Sequence, residues 1–133
     1  MTDIVVAEDE VQEGSDCSDV GAIVVGDGRT LLVSTDVSGQ VTLDIIERRS
    51  QTPIYSTTFA AGSSGPLYDT PFTDNYWGLD TVGGNWRYKP THAQLGAAAW
   101  KGGRTYDHVY SIPTTNHGTI RAIFRRKIIA GAV

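Results

Sequence analysis

Apolar and polar residues alternate with a period of two along most of this chain. In "QVTLDIIERR" (40–49), Val41, Leu43 and Ile45 fall on one face of an extended segment and Thr42, Asp44 and Ile46 on the other. The same reading predicts strands over "GAIVVG" (21–26), "RTLLVSTDV" (29–37), "PIYSTTFAA" (53–61), "NWRYK" (85–89), "RTYDHVYSI" (104–112) and "TIRAIFRRKII" (119–129). "DIVVAED" near the N-terminus fits one more edge strand. The short Ser-Gln-Thr-Pro step after 40–49 signals a hairpin, and "PTTNHG" forms a turn-like link before the last strand. Ile123 and Phe124 are adjacent in "RAIFRRK", which predicts a bulge there.

Helical periodicity is nearly absent. "THAQLGAAAW" (91–100) has Thr91 as an N-cap after Pro90, but Gly96 interrupts it and leaves about one turn. Without helices of ten or more residues between strands, parallel crossovers have no connectors, so the expected sheets are antiparallel. Residues 62–84, rich in Gly, Pro, Asp and Thr, read as one long loop, a length associated with function or interaction.

Residues 83–113 hold two of the three tryptophans, three of the six tyrosines and two of the three histidines. Period two puts Trp86 and Tyr88 on one face, and Tyr106, His108, Tyr110 and Ile112 on one face, a pattern that predicts core. Tyr106 follows a glycine turn at the start of a late strand, where immunoglobulin-like sandwiches place a corner tyrosine.

The 133 residues make one domain by length, with a core large enough to stand without metal or disulfide. A single cysteine, Cys17, excludes an intrachain disulfide. "MTDIVVAEDE" has no basic region leading into an apolar core, so no signal peptide is expected, and no apolar run is long enough to cross a membrane. The net charge of −4 conceals an asymmetry. Residues 1–19 carry seven acids, including Glu8, Asp9 and Glu10, and no base; residues 121–127 carry Arg121, Arg125, Arg126 and Lys127 and no acid. Such segments attract each other, within one chain or between copies. Residues 1–20 are accordingly read as an acidic arm and 21–133 as the folded domain.

"VGDGRTLLVS", "GQVTLDIIER", "NWRYKP" with the following "AQL", "WKGGRTYDHVYSI" and "GTIRAIFRRKI" together resemble the immunoglobulin-like module of tailed-phage head-accessory, neck and baseplate proteins. The resemblance spans about residues 22–129. It implies an all-β, immunoglobulin-like antiparallel sandwich of about seven strands, without enzymatic activity. The implied role is structural: a head decoration or cement subunit, or a neck, tail or baseplate component. Its partners would be other virion proteins in a homo-oligomeric or symmetric array, and its location the virion. The loop 62–84 and the acidic arm depart from the pattern.

Catalytic motifs are not evident. No G-x-S-x-G elbow is present, Cys17 lies among carboxylates that disfavour its thiolate, and His92, His108 and His117 lack metal-ligand spacing. No loop carries calcium-ligand spacing and no glycine-rich loop matches a phosphate cradle. No cofactor is expected. A pI near 5.2 argues against nucleic acid. The expected interface comprises Glu8, Asp9, Glu10, Arg121, Arg125, Arg126 and Lys127 with the loop aromatics Tyr68, Phe72, Tyr76 and Trp77. Beside Asp69, Asp74 and Asp80, those aromatics also form the pattern of a sugar-binding surface, which makes a carbohydrate- or receptor-binding module the alternative; a small hydrolase is a third, weaker class.

Overall fold

The computed structural model describes residues 2–12, 19–25, 30–59, 67–68, 84–88 and 103–129. Those residues form seven strands: β1 (Thr2–Gln12), β2 (Asp19–Gly21), β3 (Val41–Glu47), β4 (Thr52–Phe59), β5 (Trp86–Tyr88), β6 (Thr105–Pro113) and β7 (Thr119–Ile129). A five-stranded sheet runs in the order β1-β7-β6-β3-β4, and β2 pairs with β5 in a second, two-stranded sheet.

Alternation sets the core. Val41, Leu43 and Ile45 of β3, Tyr106, Tyr110 and Ile112 of β6, and Ile120, Ala122, Phe124 and Ile128 of β7 are all buried. Ile23, Val25, Leu32, Leu67 and Trp86 complete the same cluster. Aromatic rings join the two sheets: Trp86 meets Tyr110 edge-on at 4.9 Å and Tyr88 meets Phe59 edge-on at 4.7 Å. Each such pair contributes roughly 0.5–1.5 kcal/mol beyond its buried area.

Four expectations are corrected. The large sheet is mixed, because β1 adds to β7 in parallel. No crossover helix is required, since the other described strands lie between these two in sequence. Residues 8–12, expected as part of the acidic arm, belong to that strand. Of the strand expected over 29–37, the described residues 30–37 are not continuous; they make isolated bridges at Leu31 and Val37 around a 3-10 turn at Ser34–Asp36. Side chains have taken the backbone partners that a ladder would use. The buried Asn85 amide donates to the carbonyls of Ile23 (3.0 Å) and Leu32 (2.8 Å) and accepts from Ile23 N–H at 2.8 Å, while the Asp36 carboxylate accepts from Val33 N–H at 3.1 Å. The bulge expected in β7 lies instead on its partner: β1 shifts register between Val5 and Ala7, opposite Ile123 and Phe124. β7 itself alternates cleanly, with Phe124 in the main core and Ile123 buried on the other face.

Candidate functional site

β1 and β7 bring the two oppositely charged segments together from Thr2 to Gln12. In register, Asp3 faces Arg121, Glu8 faces Arg125 and Glu10 faces Lys127. Paired residues project to the same side of a sheet, so sequence acidity becomes a row of cross-strand pairs. Arg121 Nη1 lies 3.2 Å from the Asp3 carboxylate, and Arg125 Nη1 lies 3.1 Å from that of Glu8.

Arg125 reaches a second acid. Its Nε donates to Asp107 of β6 at 2.9 Å, and Arg48 approaches the other Asp107 oxygen at 3.7 Å. Glu8, Arg125, Asp107 and Arg48 thus alternate in sign across the outer face. The Asp107 hydrogen bond, reinforced by Glu8, raises the Arg125 pKa above its ordinary value. Each solvent-facing pair is worth only about 0.2–1 kcal/mol, so the row favours the acidic-on-basic pairing more than it stabilises the fold.

Beneath the seam lies a fully buried polar cluster. Asp19, at the start of β2, accepts from Tyr110 Oη at 2.6 Å and Arg126 Nη2 at 3.0 Å, and its Oδ2 sits 2.7 Å from His108 Nδ1. The Asp19, His108 and Arg126 side chains are at most 2% exposed. Burial and the Asp19 charge push the Tyr110 pKa well above its ordinary value, which keeps the phenol protonated as a donor. The cluster ties β2 to β6 and β7, and so fixes where the chain re-enters the fold after β1.

The expected interface residues therefore divide. Asp3, which the sequence reading left out of that set, joins Glu8, Arg121 and Arg125 in the seam, and Glu10 and Lys127 border a hollow of about 370 Å³ beside it. Asp9 stands opposite Arg126 in register. Arg126, expected in the interface, is 2% exposed and bonded to Asp19 in the interior. Its place on the stripe of Ile120, Ala122, Phe124 and Ile128 was the available signal, since a charge in a core stripe requires a buried partner. Tyr68 is 41% exposed, with the Arg87 guanidinium 5.6 Å over its ring. Phe72, Tyr76 and Trp77, the helix-like segment 91–100, Cys17 and His92 lie outside the described residues. Among the described residues there is no cluster of three metal-ligating side chains, and no helix is long and apolar enough to cross a membrane. Comparison with protein families, curated proteins and solved structures finds no match to this chain.

Proposed function

We propose that this domain is a non-enzymatic structural subunit that joins its neighbours by exchanging the acidic strand β1 onto the basic strand β7. The observation that carries this reading is the parallel β1–β7 ladder with its matched charges. β1 is an N-terminal edge strand, and the docking surface it occupies on β7 is the same in every copy. A neighbour's β1 would make the same contacts, which is why exchange of identical elements is a low-cost route to assembly. The two-sheet β architecture, together with the resemblance over residues 22–129, supports an immunoglobulin-like sandwich serving as a virion accessory module, with decoration of a capsid surface ahead of a neck, tail or baseplate position.

The test uses complementary charge reversal. One variant carries Asp3→Lys and Glu10→Lys; the other carries Arg121→Glu and Lys127→Glu. Each alone opposes its own pairing, whereas a mixture restores it reciprocally between chains. Light scattering is expected to show the wild type as a salt-sensitive oligomer, each variant as a monomer and the mixture as a mixed oligomer. A wild-type monomer across concentration, with a mixture that stays monomeric, overturns the proposal.

A further inference from the structure

The end of the large sheet that carries the β3–β4 turn contains a cleft of about 850 Å³ that the strand-exchange reading does not use. Arg48 and Arg49 come from that turn, and Arg104 comes from the segment entering β6. All three are exposed. Backbone hydrogen bonds frame them. Arg48 N–H donates to Thr105 carbonyl at 2.9 Å, Gly103 N–H to Ile128 carbonyl at 2.8 Å, and Ile128 N–H to Arg104 carbonyl at 2.9 Å. Gly103 (φ 81°) and Gln51 (φ 57°) adopt left-handed backbone conformations that bend both segments at the cleft.

The acid lining this cleft does not fill it. Glu47 is 5% exposed, and its Oε2 accepts from Ser50 N–H at 2.7 Å and Ser50 Oγ at 3.1 Å. It is committed to the backbone of the turn that presents Arg48 and Arg49. Three exposed arginines thus line one mouth: Arg48 keeps its approach to Asp107 at 3.7 Å, and Arg49 and Arg104 add positive charge that favours an entering anion.

The identity of that anion follows from shape and charge. Three guanidiniums and the Thr105 hydroxyl supply many donors, which matches the several acceptor oxygens of a phosphate better than the two of a carboxylate. An extended polyanion is disfavoured: the adjoining hollow carries Glu8 and Glu10, and the whole chain has a net charge of −4. We propose that the Arg48–Arg49–Arg104 cleft binds a compact phosphate-class anion, free or as the phosphate monoester of a small molecule.

Titration of the full chain followed by amide NMR tests this, with pyrophosphate and glucose 6-phosphate as the two probes and sodium chloride at matched ionic strength as control. Saturable shifts are expected at residues 48–50 and 103–105, with an affinity at least tenfold lower in Arg49→Gln and in Arg104→Gln. Both residues are exposed, so the remainder of each variant's spectrum reports an intact fold. Tighter binding of pyrophosphate identifies a free anion, and tighter binding of the sugar phosphate an ester. The proposal is overturned if both probes merely reproduce the chloride drift, or if the double variant Arg49→Gln/Arg104→Gln binds as the wild type does.

Discussion

Asp19 and Arg126 stand 107 positions apart in sequence, yet their side chains meet at 3.0 Å in the interior, with exposures of 0% and 2%. A buried ion pair repays its desolvation only when the remaining atoms of both groups are also well partnered. Here Asp19 has Tyr110 and His108 as further partners. Removing one member strands the others. Asp19→Ala is expected to lower stability by roughly 3–5 kcal/mol, measured by urea unfolding at pH 7. The double variant Asp19→Leu/Arg126→Met, which removes both charges, is expected to be more stable than Asp19→Ala. Equal losses in the two variants would show that packing volume, rather than a stranded charge, sets the cost.

This cluster also marks where sequence reasoning stops. β3, β4 and β6 were legible because their alternation is local: Leu43 and Tyr110 announce their face from their neighbours alone, whereas the adjacent Ile123 and Phe124 hid the buried face of β7. Residues 29–37 alternate just as well, but Asn85, more than fifty positions away, takes the Leu32 carbonyl. Asp19 looked like one more arm acid because its partners lie on β6 and β7. The charge asymmetry of the termini was plain in the sequence. Its consequence, a parallel strand within the chain, depended on register, which the composition of the two segments does not encode.

Tyr110 supplies a pH test at the alkaline end. Its pKa is raised in the fold by burial and by Asp19, whereas an unfolded tyrosine titrates near about 10. A raised native pKa means that its contribution is fully present below the unfolded value and is lost as pH climbs from there toward the native value. Tyrosinate absorbance is therefore expected to show one phenol that ionises only together with unfolding. In Tyr110→Phe that late step should vanish, and neutral stability should fall by about 1.5–3 kcal/mol through loss of a hydrogen bond to a charged acceptor. Persistence of the late step in Tyr110→Phe would assign it to another tyrosine.

Glu47 provides the acidic counterpart. The Ser50 backbone N–H, helped by the Ser50 hydroxyl and the Arg104 charge, holds its pKa below its ordinary value. A lowered native pKa stabilises above the ordinary carboxylate range and loses that contribution as pH falls through the native value. The Ser50 amide resonance is expected to titrate with a midpoint below that of an ordinary glutamate. Ser50→Ala should move it only part of the way back, since the backbone donor remains. A full return to the ordinary value would assign the shift to the hydroxyl instead.

Gly21, at the end of β2, is where the arm touches the second sheet. A Cβ built on it would lie 2.6 Å from Val6 Cγ1 and 3.6 Å from the Phe124 ring. Val6 belongs to the register shift of β1, so this close approach depends both on the bulge and on the missing side chain at position 21. Gly21→Ala is expected to destabilise by about 1–3 kcal/mol, the range for overpacking, and to speed amide exchange in β1 more than in β3 or β6. Val6→Ala removes the clashing methyl and should recover much of that loss in the double variant, giving a coupling energy in the range of about 0.5–3 kcal/mol for residues in contact. Additive losses in the two single variants would mean that β1 does not pack on Gly21 in solution, and the arm's exit from β7 would then have to be fixed by the Asp19 cluster alone.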